Sequence, residues 1–378
     1  MHNLEGPRGT RIDERDKMIR LVNHVFMEQQ NRSGDMREFF PVLFADQNLE
    51  NCRILLDGGQ PVTHVGYVVR DAIIRASTVT LACVGSVCTY EDYRGRGLAS
   101  AVLDDCEARM RRQGVDVVLV SGGRGLYLRR GARTVGRHVR YRLTPADANR
   151  LEDRSISIRP ARAEDRPILA ALYDMSPVRH VRSPLDWDRW LACGWCGMAV
   201  APVYFACRGD EPTAYVVQAK LRDEQEAAVA HEWAGDAAAV AALLAALPGL
   251  SERAVAEVVA DPIMDGPLVA ILDAAGLDAE PANFGRTVKV LRPSALFDKL
   301  RPQLTPRGRD IRVTATGDGA RLKLGPDALE LAADEVARAF FGDPDDVLPA
   351  RFESAGSLGR AWLDSFPFPL PRYGYNYA

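Results

Sequence analysis

The chain has 378 residues, 47% hydrophobic and 26% charged, with a formal net charge of -3. That length exceeds one ordinary core and predicts two or three domains, and the lack of a basic excess excludes nucleic acid as a partner on composition. No apolar run approaches the roughly 18 residues of a membrane span, and the opening MHNLEGPRGTRIDERDK holds no apolar signal region, so no membrane and a cytoplasmic address are expected.

In chain order, residues 1–12 read as a polar tail. Asp16 to Gln29 carries Ile19, Val22, Val25 and Phe26 at helical spacing, until Gly34-Asp35 breaks it. Phe39 to Phe44 is a second short apolar segment. Cys52 to Leu56, the turn Asp57-Gly58-Gly59-Gln60 and Val62 to Val69 predict a hairpin. Thr78 to Thr89 predicts a long strand. Leu98 to Arg112 predicts an amphipathic helix with Leu98, Val102, Leu103, Cys106 and Met110 inward, stopped by Gly114. Val115 to Val120 reads as a buried parallel strand. A short helix over Gly125 to Arg130, closed by Gly131, and a strand over Val135 to Leu143 complete this part.

Between the long strand and the helix lies Arg94-Gly95-Arg96-Gly97-Leu98-Ala99-Ser100. Glycines at a strand-to-helix turn let backbone N–H groups approach an anion, and the helix N-terminus favours negative charge. Gly95-x-Gly97-x-x-Ser100 nearly spells a dinucleotide fingerprint. That fingerprint needs its first glycine directly off the strand and Gly or Ala in its third place. A Gly/Arg-rich surface turn is the plainer reading.

The stretch resembles the pyrophosphate motif of the GCN5-related N-acetyltransferases, Arg/Gln-x-x-Gly-x-Gly/Ala, with Arg94, Gly97 and Ala99 in its three fixed places. The element order over roughly residues 10 to 145 is similar to that fold. The resemblance implies a mixed α/β chain that uses acetyl-CoA as co-substrate. It places Arg94, Gly95, Arg96, Gly97, Leu98, Ala99 and Ser100 at the pyrophosphate. It also puts Val87, Cys88 and Thr89 along the pantetheine arm, where the strand parts from its neighbour, and Ser121-Gly122 at a further cofactor contact. Tyr127, in Tyr-x-x-x-Gly-Ala, takes the place of the family's general acid beside the cofactor sulfur, with Ala132 where the family has an aromatic residue. The plainer alternative is a tyrosine packed on the sheet with its hydroxyl wet. Cys88 as a nucleophile competes with a backbone role, because in this family the amine attacks directly.

Leu143 to Ile156 reads as a linker. Ile158-Arg-Pro-Ala with Glu164-Asp165 then resembles the opening of a second acetyltransferase domain. The expected division is 1–145 for the catalytic domain, 155–291 for a degenerate copy lacking the cradle, and 292–378 for a small α+β module. In the copy, Tyr204–Arg208 and Thr213–Leu221 form a hairpin, followed by strands at Ala228–Trp233, Val255–Ala260 and Phe284–Leu291. In the last module, Ile311–Thr316 and Arg321–Leu324 form a hairpin and Ala328–Phe341 a helix. That module resembles the sterol-carrier-like domain of the enhanced-intracellular-survival (Eis) acetyltransferases. The closing stretch, Phe366 to Ala378, is rich in proline and aromatic residues and is expected to dock.

Seven cysteines form no disulfide framework, which fits a reduced compartment. Cys193-Gly-Trp-Cys196 lacks the further ligands a zinc site needs, and the six histidines show no ligand spacing, so no metal is expected. Buried thiols in a Trp-rich helix (Trp187, Trp190, Trp195) are the simpler reading.

Acetyl transfer to an amine needs a base for the ammonium proton, whose pKa is about 10.4 in a free alkylamine, and an acid for the leaving thiolate. The Eis resemblance offers the C-terminal carboxylate of Ala378 as base, against a tail that only walls the pocket. The acceptor, a small-molecule or protein amine, is expected near Phe26 to Phe44, where Glu28 and Asp35 would suit a cation or simply face solvent. The family commonly assembles, which implies a homo-oligomer. A non-enzymatic acyl-CoA-responsive or lipid-binding module is the rival reading.

Overall fold

A computed structural model describes residues 4–151, 153–219, 227–283, 285–345 and 347–376. The chain is mixed α/β, and its described residues form two seven-stranded sheets, one three-stranded sheet and one two-stranded ribbon. In the first, six strands, Leu4–Gly9, Cys52–Asp57, Gln60–Ile74, Ser77–Thr89, Val117–Val120 and Thr287–Val290, lie side by side in that order, and the seventh, Val178–His180, pairs with the far end of Gln60–Ile74. In the second, the order is Ile156–Pro160, Val203–Arg208, Glu211–Ala219, Ala227–Gly235, Val255–Ala260, His138–Leu143 and Glu280–Ala282. Each has a parallel pair at the same place, Ser77–Thr89 with Val117–Val120 and Ala227–Gly235 with Val255–Ala260. Each parallel pair is bridged by a helix, Leu98–Arg112 in one and Ala237–Ser251 in the other. The helix requirement follows from the parallel crossover, which no tight turn can span.

Four expectations change. The opening segment is not a tail: Leu4–Gly9 pairs antiparallel with Cys52–Asp57 at the sheet edge. An edge strand exposes one side, so its sequence reads as polar. The presumed linker contains a helix, Pro145–Leu151, with Leu151 buried. Ala328–Leu331 belongs to a strand, Asp327–Leu331, which pairs with Gly319–Leu324 before the helix Ala333–Phe341 begins. Glu330 is exposed and Leu331 buried, an alternation of period two that sets a strand apart from a helix.

The fourth change concerns the division near residue 145. His138–Leu143 joins the second sheet beside Val255–Ala260, and Thr287–Val290 joins the first beside Val117–Val120. The two halves thus exchange their last strands. Both segments are antiparallel partners to a parallel strand, so periodicity shows that each is a strand without showing which edge accepts it. The former expectation of a strand over Phe284–Leu291 holds for Thr287–Val290, and Phe284 lies outside the described residues.

The C-terminal region adds the antiparallel sheet Arg312–Thr316, Gly319–Leu324, Asp327–Leu331 and helices Val347–Glu353 and Gly356–Leu363. Its aromatic centre, with Trp362 stacked on Phe366 at 4.1 Å, is continuous with the core beneath the first sheet. Among the described residues no helix is long and apolar enough to cross a membrane.

Candidate active site

The glycine turn ends in the helix Leu98–Arg112, with Gly97 as N-cap in the left-handed region at φ 76° and no side-chain cap. Gly95 shares that φ. Open space surrounds both α-carbons, so backbone conformation, not crowding, requires glycine there. An uncapped helix start presents N–H groups with no intrahelical partner, and here the turn leading into it, Arg94 to Gly97, is exposed. The Arg94 side chain turns back, donating from Nε to the Thr89 carbonyl (3.1 Å) and from a terminal nitrogen to Gln29 (3.1 Å). Arg96 lies over the Tyr93 ring at 5.1 Å.

The second half shows the contrast. There Asp236 caps the equivalent helix, accepting from the Ala239 N–H at 2.9 Å. A carboxylate already seated on those N–H groups repels a second anion, which gives the missing glycine motif a physical consequence.

The strand leading to the cradle carries a bulge. His64 pairs with Cys88 and Gly66 with Gly85, so Ser86 and Val87 together oppose Val65. Ser86 adopts φ 56°. Such bulges re-aim a strand next to a site. On the other side, pairing with Val117–Val120 ends at Val84 opposite Val120. Beyond it the two strands part, leaving an opening at Val87. Buried His64 braces the bulge by donating from Nδ1 to the Ser86 carbonyl at 2.8 Å. Burial pushes its pKa down to about 4, against the opposing effect of that hydrogen bond.

A cavity of about 120 Å3 fills the opening, lined by Phe26, Met36, Phe40, Ser86, Val87, Ser121, Gly122, Arg124, Tyr127 and Met198. Tyr127 sits on the single-turn helix Gly125–Leu128 and is buried. Its ring faces Gly122: a β-carbon added there would lie 3.9 Å from it. The carbonyls of Ser121 and Gly122 are held by the exchanged strand, accepting from Arg286 (3.3 Å) and from the Thr287 hydroxyl (2.7 Å). The exchange thus fixes the floor of this cavity.

The structure therefore brings together Val87, Ser121, Gly122 and Tyr127. It leaves Arg94 to Gly97 on the adjoining exposed turn and Leu98 to Ser100, half-buried, at the start of the helix. Cys88 packs into the core on the opposite sheet face from Val87, and burial pushes its thiol pKa up, which removes the nucleophile reading. Thr89 contributes its carbonyl to Arg94. Glu28 pairs with His24 at 2.8 Å, and Asp35 caps its own helical turn through the Arg37 N–H, so neither carboxylate lines the cavity. Phe26, Met36 and Phe40 come from the segment expected to shape the acceptor site, whereas Ser86, Arg124 and Met198 were not foreseen. Met198 arrives from the second half of the chain, and no local spacing marks it.

The tail docks as expected, with Phe368, Leu370, Tyr375 and Asn376 buried. Tyr375 stacks on Trp190 at 5.7 Å, and Tyr375 and Asn376 line a small cavity that shares Phe40 with the Tyr127 cavity. Ala378 lies outside the described residues. Cys196 is buried with its thiol donating to the Gly374 carbonyl at 3.0 Å, and half-buried Cys193 donates to the Trp190 carbonyl. A larger cavity of about 440 Å3, lined by Phe341, Phe352, Trp362, Phe366 and Phe368 among others, holds none of the predicted site residues.

Residues 7–135 match the family model described as an acetyltransferase (GNAT) domain. Over 123 residues, 30% of this chain, the sequence is 31% identical to an aminoglycoside 2'-N-acetyltransferase of Mycolicibacterium fortuitum, and the match spans 63% of that relative. Among solved structures, a GCN5-related N-acetyltransferase from Kribbella flavida superposes with a TM-score of 0.67 at 16% identity, covering 98% of both chains. Eis from Mycobacterium abscessus gives 0.67 at 14% identity, covering 99% of both. A probable N-acyltransferase from Enterococcus faecalis gives 0.70 at 13% identity, over 98% of this chain and 99% of that one. These likenesses show a shared fold along the whole length.

Proposed function

Residues 7–135 form a GNAT acetyltransferase domain, and from that premise we propose that the chain transfers an acetyl group from acetyl-CoA to a primary amine by direct attack. The observation that carries this is the placement of Tyr127 in one cavity with Val87, Ser121 and Gly122, at the point where the two parallel strands separate. The uncapped helix start at Gly97 fits a pyrophosphate, and the strand opening at Val87 fits the pantetheine arm. Tyr127 then serves as the acid that protonates the departing thiolate.

The base in this reading is the C-terminal carboxylate of Ala378. Support comes from Tyr375 and Asn376, which reach a cavity bordering the Tyr127 cavity through Phe40. An α-carboxylate has a pKa of about 3.5 and becomes a useful base only when desolvated. The aromatic surroundings of the docked tail favour that.

The test is calorimetric titration of acetyl-CoA into the full chain and into a truncation lacking Asn376 to Ala378, with thiol release measured on an amine panel. Equal binding with lost turnover in the truncation supports the terminal base. Equal turnover removes it. No binding by the full chain overturns the acetyltransferase reading.

A further inference from the structure

The lining of the Tyr127 cavity bears on the class of acceptor, an inference that rests on the acetyltransferase reading above. The cavity, about 120 Å3 in all, seats the thioester end of acetyl-CoA at Val87, Ser121 and Gly122 in that reading, so the acceptor amine approaches along the remaining wall. Its acceptor-side wall is Phe26, Met36, Phe40 and Met198, all apolar. Two methionines give that wall some freedom to adapt to a flexible chain. Beyond Phe40 the neighbouring cavity is nearly filled, with about 10 Å3 left between Phe39, Trp190, Trp195 and Tyr375.

Charge points the same way. No carboxylate from the described residues lines either cavity. Those nearest in sequence are already engaged: Glu28 with His24, and Asp35 with its own turn and the Asn23 amide. In the adjoining cavity Arg70 is paired to Asp186 at 2.7 Å. Among the described lining residues the one formal charge in the Tyr127 cavity is the exposed guanidinium of Arg124. A polycation would press extra ammonium groups against apolar walls and one positive charge, with no described partner to replace their water.

We propose that the acceptor is a monoamine on a slim apolar arm, an alkylamine or a single-ring arylalkylamine, and that polyamines and aminoglycosides are selected against. One ammonium needs one base, and the arm fills the Phe26–Met36–Phe40–Met198 wall.

The test uses the full chain and acetyl-CoA, with thiol release followed for hexylamine, phenethylamine, spermidine and kanamycin. The expected result is kcat/KM at least about tenfold higher for the two monoamines, the scale on which apolar pockets discriminate. Arg124→Glu, an exposed change, is expected to narrow that ratio at least about threefold by favouring the polycations. Spermidine or kanamycin equal to or better than the monoamines overturns the inference and leaves the acetyltransferase reading standing. Acetyl-CoA binding without turnover of either monoamine also overturns the inference alone. Absence of both binding and turnover overturns the reading and the inference with it.

Discussion

The Glu232 carboxylate meets the Arg182 guanidinium at 2.5 Å, with their side chains 2% and 0% exposed. A buried pair gains little unless its remaining lone pairs are satisfied. Here the Tyr215 hydroxyl donates to Glu232 at 2.8 Å, and the tail supplies the rest through the Tyr375 N–H at 3.2 Å. The Arg182 guanidinium lies over the Tyr173 ring at 3.7 Å and the Trp187 ring at 4.7 Å. Burial works to raise the Glu232 pKa, and the arginine charge with these hydrogen bonds outweighs it, so the carboxyl stays below its usual value. In the second half of the chain the equivalent helix start is already capped by Asp236. The same half holds a fixed point that sets where Tyr375 lies.

That fixed point predicts a selective effect at Gly374. This residue has φ 47°, and an added β-carbon would overlap the Glu232 carboxylate. Gly374→Ala is expected to lift the tail from Tyr373 onward. Limited proteolysis should then cleave it, acetylation should fall, and the acetyl-CoA Kd should stay unchanged. Glu232→Gln is expected to act differently, because it leaves Arg182 buried without a counter-charge. That costs on the order of 3–5 kcal/mol and should lower the melting temperature of the whole chain.

His64 predicts a pH dependence of stability. Its pKa is about 4 in the folded chain and about 6.5 unfolded. Above pH 6.5 the imidazole is neutral in both states and costs nothing. As pH falls from 6.5 towards 4 the unfolded chain takes a proton that the folded chain refuses, so stability declines. The loss reaches on the order of 3 kcal/mol and levels off below about pH 4. In urea titrations across this range, His64→Gln should remove about one proton from the slope of unfolding free energy against pH. An unchanged slope would show that His64 does not carry this term.

The glycine turn, the helix after it and the short helix that carries Tyr127 were legible because each is set locally, by a positive φ that favours glycine and by helical spacing. The first strand was not, since Leu4–Gly9 is an exposed edge. Its signal lies in the internal repeat: Arg8 forks onto Glu14 at 2.6 and 2.7 Å, as Arg159 forks onto Asp165 at 2.7 and 2.9 Å, each across six residues. Comparing the two openings would have turned the apparent tail into a strand. The strand exchange and the arrival of Met198 at Tyr127 are long-range choices between equivalent edges and surfaces. Nothing in the spacing of those segments encodes them.

Gly97→Ala separates backbone strain from anion binding. The β-carbon meets nothing within 4 Å, so the only structural cost is the left-handed conformation, about 1–2 kcal/mol for an alanine. The melting temperature should fall modestly. Acetyl-CoA affinity should fall much more, by at least about tenfold, as the first N–H groups of the helix tilt away from the phosphate. Calorimetry and thermal melting on one sample make the comparison. Loss of stability with full affinity would remove the turn from the binding site.

Tyr127→Phe tests the chemistry itself. The ring packs over Gly122 and is buried, so its shape is retained and the sheet keeps its filling. Only the hydroxyl leaves. If that hydroxyl protonates the departing thiolate, kcat should fall by about 10²–10⁴, with KM for the amine and Kd for acetyl-CoA nearly constant. Because thiols are themselves acidic, with a pKa of about 8.5, the deficit should shrink for an acyl donor with a more acidic thiol leaving group. A uniform loss across leaving groups, or a loss confined to KM, would assign Tyr127 to packing and return the acid's role to water.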